Sequence, residues 1–243
     1  IDYDIFNNTN SNDGSIEYPF VQKSRLAGYD GKGVVVIRSE NDIDKLFNVG
    51  SVIEELIDIE KELAVIIARN EKGEINHFPI TEMVFNEKGN LLDYLICPSD
   101  ISENINTKSI EIAKNIIKTF EMVGILAVEL FLTKKGDIIV NEVAPRTHNS
   151  GHHTIDANIN SQFNLHLRSI LNLSLGSTEQ IRPFAALLNV LGDINSNVGP
   201  PTYHGLEEII NVNEIYSHFY GKKVVKPLRK MGHVNITATT KET

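Results

Sequence analysis

Val140-Asn141-Glu142-Val143-Ala144-Pro145-Arg146-Thr147-His148-Asn149-Ser150-Gly151-His152-His153 brings a carboxylate, an arginine, three histidines and two amides into fourteen residues. Such a density of ionisable and amide groups marks a site rather than a packing segment. Upstream, Ile125-Leu126-Ala127-Val128-Glu129-Leu130-Phe131-Leu132 is an apolar run with one acid in it. The polar turn Thr133-Lys134-Lys135-Gly136-Asp137 and a second run, Ile138-Ile139-Val140-Asn141-Glu142, follow. The two runs predict a β-hairpin. With a four-residue loop over 134–137, Thr133 faces Ile138, and counting back along both strands puts Glu129 opposite Glu142. Opposed residues share a face, with Cβ atoms about 4.5–5.5 Å apart. Two ionised carboxylates so placed repel, and either a shared proton or a cation relieves them. A hard divalent ion such as Mg²⁺, held by one or two carboxylates together with substrate phosphates, suits that arrangement. A solvent-facing hairpin with two surface acids is the plain alternative, and Asn141, Arg146, His148 and Asn149 alongside weigh against it.

The chain has 243 residues, enough to bury a real core as one large domain or two smaller ones. Its net charge of −9 argues against a nucleic-acid-binding surface. No apolar run approaches the roughly 18 residues of a membrane-spanning helix, so no membrane partner is expected. Cys97 is the single cysteine, which excludes an intrachain disulfide and a cysteine zinc cluster and makes the cytoplasm the default compartment. The first residue is Ile1, and no compact unit precedes the first motif, which reads as part of a longer chain.

In chain order, residues 1–17 are polar and Asn-rich and read as a linker or disordered segment. A strand over 18–23 ends on Lys23, and Val34-Val35-Val36-Ile37 resumes a strand. Between them lie Gly28, Gly31 and Gly33, a glycine-rich loop whose backbone N–H groups can lie against phosphate oxygens. A plain long turn fits the glycines equally, and Lys23 and Lys32 on either side favour the phosphate reading. Residues 40–47 predict a short amphipathic helix and residues 51–57 a buried strand carrying Glu54 and Glu55. The strand after it opens on Glu62. Acids at 54, 55 and 62 beside apolar runs suit an adenosine pocket, and strand-end acids facing water are the alternative. Further strands are expected over 74–81 and 91–97, joined through a turn at 87–90. Helices are expected over 107–122 and 161–172, the second with Phe163, Leu167, Ile170 and Leu171 on one face. Beyond about residue 180 short strands over 184–191 and 231–239 suggest a small β-rich second domain.

Lys23, Gly28-Tyr29-Asp30-Gly31-Lys32-Gly33, Glu54-Glu55-Leu56-Ile57, Glu62, Glu129-Leu130-Phe131, the stretch from Asn141 to His152 and Arg229-Lys230-Met231-Gly232-His233 together resemble the N5-carboxyaminoimidazole ribonucleotide synthetases. These are ATP-grasp enzymes of purine biosynthesis. The resemblance runs from about residue 18 to 237. It implies an α+β fold: an ATP-grasp domain over 18–178, two lobes clamping ATP, followed by a β-rich C-terminal domain over 179–243. Members carry a further N-terminal domain of about a hundred residues. Carried over, Lys23 contacts ATP phosphate, and Gly28, Tyr29, Asp30, Gly31, Lys32, Gly33 and Val34 form a flap over the phosphates. Glu54, Glu55, Leu56 and Ile57 hold adenine, Glu62 the ribose, and Asn141 belongs to the nucleotide site. Glu129 and Glu142 hold Mg²⁺, with Mn²⁺ as a substitute. Arg146, His148 and Asn149 are catalytic, lining the pocket for carboxyphosphate and the aminoimidazole, and Lys222 with Arg229 binds the ribotide phosphate. The implied substrates are ATP, bicarbonate and 5-aminoimidazole ribonucleotide, and the implied assembly is a homodimer. Two departures stand out. Phe85 occupies a position where members often carry a nucleotide-contacting histidine, and Leu228 one where a glycine commonly precedes the Arg-Lys pair. An ATP-grasp ligase with another acceptor and a non-catalytic nucleotide-binding module are the rival readings.

Overall fold

The structure, a computed structural model, describes residues 3–6, 17–26, 33–86 and 91–240. Within these the chain divides into two compact units, Ile1–Ile59 with Asn86–Leu91, and Glu60–Phe85 with Leu92–Thr243.

The first unit is built on an antiparallel sheet of β1 (Tyr3–Phe6), β2 (Phe20–Ser24), β3 (Val34–Ile37) and β4 (Ser51–Glu55), in the order β1-β4-β2-β3. Phe20, Ile37 and Ile53 form its buried cluster. Gln22 is buried with them, its amide donating to the Phe47 carbonyl and accepting from the Phe47 N–H. Residues 3–6, expected within a linker, form a strand because the free edge of β4 offers a full ladder, Tyr3 opposite Glu54 through Phe6 opposite Ser51. The expected amphipathic helix is a 3-10 segment over Glu40–Lys45 that buries none of its residues.

The second unit carries a nine-stranded sheet. Its strands are β5 (Ile59–Arg69), β6 (Ile75–His77), β7 (Thr81–Asn86), β8 (Leu91–Cys97), β9 (Gly124–Thr133), β10 (Ile138–Ala144), β11 (Phe184–Leu191), β12 (Ile215–Phe219) and β13 (Lys230–Ala238). They run in the order β10-β9-β5-β7-β8-β11-β13-β12, with β6 on β5. The helices are α1 (Glu103–Thr119), α2 (Thr154–Ala157), α3 (Gln162–Ile170) and α4 (Leu206–Ile209). The C-terminal strands extend the same sheet, since β11 pairs with β8 on one side and β13 on the other. The strand expected over 74–81 is interrupted between His77 and Thr81, and the turn expected at 87–90 lies outside the described residues.

β9 is apolar on both faces because both are covered. Leu126, Val128, Leu130 and Leu132 alternate onto the face under α1, where they meet Ala113 and Ile117. Ile125 and Ala127 point the other way, into a cluster with Leu165 of α3. Glu129 continues that second series, so the period of two carries it to the face opposite α1. α1 begins four residues before the expected start because the Ser102 hydroxyl caps it, accepting from the Ile105 N–H.

For α3 the helical period was legible and the buried face was not. Leu165, Ser169 and Gln162 are buried, whereas Phe163, Leu167, Ile170 and Leu171 are 40–64% exposed. Two polar anchors set this orientation. Gln162 is tied inward by its side-chain amide, and His166 accepts from the Ile125 N–H through Nδ1 at 3.2 Å. Gly124, at φ +125°, has no Cβ to obstruct that ring, which would lie 3.2 Å from one.

Ile117 is fully buried where α1 meets β9, so Ile117→Ala should cost about 2–5 kcal/mol. At about 2–4 °C per kcal/mol for a chain of this size, thermal melting should move down by roughly 5–15 °C. A shift under about 2 °C would mean that α1 does not seal this face.

Candidate active site

β10 pairs with β9 as Ile138 opposite Leu132, Ile139 opposite Phe131 and Val140 opposite Leu130. The turn is one residue tighter than the sequence suggests: the Thr133 N–H donates to the Asp137 carbonyl at 2.9 Å and the Asp137 N–H to Thr133 Oγ1 at 3.1 Å. Continued regularly, this ladder would set Asn141 opposite Glu129 and turn Glu142 against Val128, into the apolar cluster under α1. A β-bulge between Val140 and Glu142 absorbs Asn141 instead, and pairing resumes with Glu142 opposite Glu129. The two acids therefore face each other as expected, by a different route.

Glu129 is 8% exposed. Burial, then the charges of Glu142 and Glu62, push its carboxyl up to about 8, against the pull of Lys230 and Arg146. Glu62, expected at the ribose, lies on β5 close enough to act on Glu129, so this face gathers three acids. His148 joins them, its Nδ1 3.6 Å from Glu129 Oε1 and 3.0 Å from Ser150 Oγ. One ligand atom from each of Glu129, Glu142 and His148 falls within 4.8 Å of the others.

The segment after β10 is held by short-range bonds. The Arg146 N–H donates to the Ala144 carbonyl at 2.8 Å, and its exposed guanidinium donates to the Thr147 carbonyl at 3.0 Å. Asn149 opens a 3-10 turn over Asn149–Gly151, and its Nδ2 is buried with no partner among the described residues. Gln162 accepts from the His148 N–H at 2.9 Å and donates to the His148 carbonyl at 2.8 Å. Fully buried His153 contacts the Ser150 carbonyl through Nδ1 at 3.1 Å.

Facing positions on β12 and β13 add His218 and His233, stacked with ring centroids 4.6 Å apart. His233 lies 5.0 Å from the His152 ring, which in turn stacks on Phe163. Asp156 accepts from Asn235 at 2.6 Å and lies 2.7 Å from His218 Nε2, and the Tyr220 hydroxyl is 3.0 Å from His233 Nδ1. Burial pushes His152 down to about 3 and His153 and His233 to about 4, so all three rings are neutral near pH 7.

The basic cluster is folded onto itself. Lys222 donates to the Lys230 carbonyl and lies 5.4 Å from the Tyr220 ring centroid, and Arg229 donates to the Val224 carbonyl at 2.7 Å. Leu228 has φ +58°, the left-handed region that favours glycine. Lys230, Gln162 and the histidine column were not anticipated as site residues. Lys230, His152 and His233 lay within the quoted motifs without a role, whereas Gln162 and His218 become apparent only once α3 turns its polar side inward and β12 pairs with β13.

In the first unit, Lys23 on β2 meets Glu54 on β4, Nζ to Oε2 2.7 Å. Glu55 ends β4, and Leu56 and Ile57 lie in the link to β5. Gly33 has φ +80° and its carbonyl accepts from the Ser24 N–H at 2.8 Å, while Val34 opens β3 opposite Lys23. Gly28, Tyr29, Asp30, Gly31 and Lys32 lie outside the described residues.

The ATP-grasp domain family matches residues 4–163, more than half of the chain, and the chain belongs to that family. The phosphoribosylaminoimidazole carboxylase C-terminal domain matches residues 185–243. Within the ATP-grasp family the chain is similar to phosphoribosylaminoimidazole carboxylases and to N5-carboxyaminoimidazole ribonucleotide synthases. The Bacillus subtilis N5-carboxyaminoimidazole ribonucleotide synthase is 37% identical, over 90% of this chain and 56% of its own. The Thermotoga maritima synthetase structure superposes with a TM-score of 0.88 at 42% identity, covering 99% of this chain and 63% of that one. An Aspergillus clavatus synthase solved with ADP and 5-aminoimidazole ribonucleotide gives 0.87 at 29% identity, covering 99% and 65%. The chain spans about half the length of the curated relatives it matches.

The buried histidines set the acid limit of the fold. The folded value of His153 is about 4 against an ordinary 6.5, so the unfolded chain takes up the proton first as pH falls through that window. Stability should drop between about pH 6.5 and 4, by roughly 3 kcal/mol for this group. His153→Gln should show a shallower acid slope in melting temperature than the parent, and an unchanged slope would contradict the assignment.

Proposed function

We propose that the chain carries the ATP-grasp and C-terminal portions of a carbon-nitrogen ligase of purine biosynthesis. The ligase carboxylates 5-aminoimidazole ribonucleotide to N5-carboxyaminoimidazole ribonucleotide, with ATP and bicarbonate consumed and ADP and phosphate released. The observation that carries this reading is the opposed pair Glu129 and Glu142 beside His148, in a chain of this family. The Aspergillus clavatus relative's complex with ADP and the ribotide supports the choice of substrates. A homodimer and a cytoplasmic location, the family expectation, belong to the same reading. No helix among the described residues is long and apolar enough to cross a membrane.

The donor set fits a hard cation: two carboxylates, one of them buried with its charge opposed by neighbouring acids. Glu129 and Glu142 would hold Mg²⁺, or Mn²⁺ in its place, which would neutralise charge on the transferring phosphoryl group. Lys23, Gly33 and Val34, with the residues from Gly28 to Lys32, would attend the ATP phosphates. Glu54, Glu55, Leu56 and Ile57 would read adenine, and Glu62 and Asn141 the rest of the nucleotide. A bicarbonate oxygen attacks the γ-phosphorus and the bond to ADP breaks, giving carboxyphosphate. The ribotide's exocyclic amine then attacks the carboxyl carbon, phosphate leaves as the C–O bond breaks, and the proton lost by the amine departs with the phosphate. Arg146 would counter the charge on carboxyphosphate, and the unpartnered Asn149 amide has a donor to offer it. His148 would face the acceptor amine. Lys222 and Arg229 would hold the ribotide phosphate, a point charge and a planar fork on one anion.

ADP release that requires both the ribotide and bicarbonate tests the reading. Arg229→Ala should raise the KM for the ribotide by a factor worth about 1.5–3 kcal/mol, the range for a hydrogen bond to a charged group, and leave the KM for ATP little changed. A rise in the ATP KM alone would remove the phosphate from this cluster.

A further inference from the structure

Gln162 is fully buried at the start of α3, yet its three side-chain bonds all go to the segment that carries the proposed catalytic residues. Its oxygen accepts from the His148 N–H at 2.9 Å, and its nitrogen donates to the His148 carbonyl at 2.8 Å. This is the pairing a neighbouring strand would give, supplied to one residue by one amide. The second N–H of the same nitrogen lies 2.7 Å from His152 Nδ1. The amide cannot be turned over, because its NH₂ would then meet the His148 N–H and its oxygen the His148 carbonyl. Its orientation therefore makes His152 Nδ1 an acceptor and leaves that ring's proton on Nε2.

Two further contacts show that the fold makes room for this amide. The Gln162 N–H donates to Thr154 Oγ1 at 2.8 Å, and the Thr154 hydroxyl donates to the Gly151 carbonyl. A Cβ on Gly151 would lie 2.6 Å from Gln162 Oε1, so residue 151 must lack one for the amide to reach His148.

We propose that Gln162 is a positioning residue for the reaction: it clamps the His148 peptide so that the imidazole stays beside Glu129 and Glu142, and it fixes the tautomer of His152. The proposal rests on the functional reading above for its activity readout, and the ring geometry tests it independently. Partners that orient site residues in this way are worth about 10–100-fold when removed.

The test uses Gln162→Met, which keeps bulk and removes the donors and acceptor, and Gly151→Ala, which displaces the same amide from the opposite side. Turnover with ATP, bicarbonate and the ribotide should fall about 10–100-fold in each, with the KM for ATP within about twofold and melting still cooperative. In ¹⁵N spectra the parent's His152 should carry its proton on Nε2, and added Mn²⁺ should broaden the His148 ring signals strongly in the parent and weakly in both variants. A merely structural amide would lower the melting temperature and leave the Mn²⁺ effect on His148 unchanged. Parent-like turnover and broadening in the variants, or a parent His152 protonated on Nδ1, would overturn the proposal. A parent that releases no ADP in response to the ribotide would refute the functional reading instead, and the ring signals would still decide the role of Gln162.

Discussion

Two carboxylates facing each other across β9 and β10 are the constraint on which the rest of the second unit depends. Buried like charges are costly, and a ladder that carried Glu142 under α1 would bury an acid in an apolar cluster. The bulge at Asn141 turns it to the face that Glu129 and Glu62 occupy. The resulting local instability resides in the site itself, as a carboxyl raised to about 8 beside two other acids, and a cation bound there would relieve it.

What surrounds the pair is closely packed. β9 is sealed by α1 on one face and by Leu165 of α3 on the other. The segment from Arg146 to His153 belongs to no strand, and it is held by Gln162, Thr154 and the histidine column instead. Neutral rings at His152 and His233 suit that column, since they pack closely without the repulsion that two imidazolium ions would introduce. Sites supported from well-packed elements hold their geometry better than sites left to loops.

Much of this was legible in the sequence because hairpin strands repeat every two residues and a polar turn marks where the count starts. The facing of Glu129 and Glu142 emerged from such a count even though the assumed loop was one residue too long, since the bulge at Asn141 restored the offset. Local pattern could not reveal that compensation, nor which side of α3 is buried, because a polar anchor at Gln162 outweighs the apolar stripe of Phe163, Leu167, Ile170 and Leu171. β1 was missed for a related reason. Its strand character comes from the edge of β4 rather than from its own residues, and the same pairing logic hides the meeting of His218 with His233 until β12 is laid against β13.

Glu129 and Glu142 resist ionising together in the free protein, and a divalent cation would let both do so. Thermal melting of the parent and of Glu142→Gln, each with and without Mg²⁺, addresses this directly. Without the ion the variant should melt no lower than the parent, since Glu129 then ionises with one acid fewer beside it. With saturating Mg²⁺ the parent alone should gain, because an ion that binds only the folded state stabilises it by mass action. Equal gains in the two proteins, or a variant that melts well below the parent without the ion, would contradict the account.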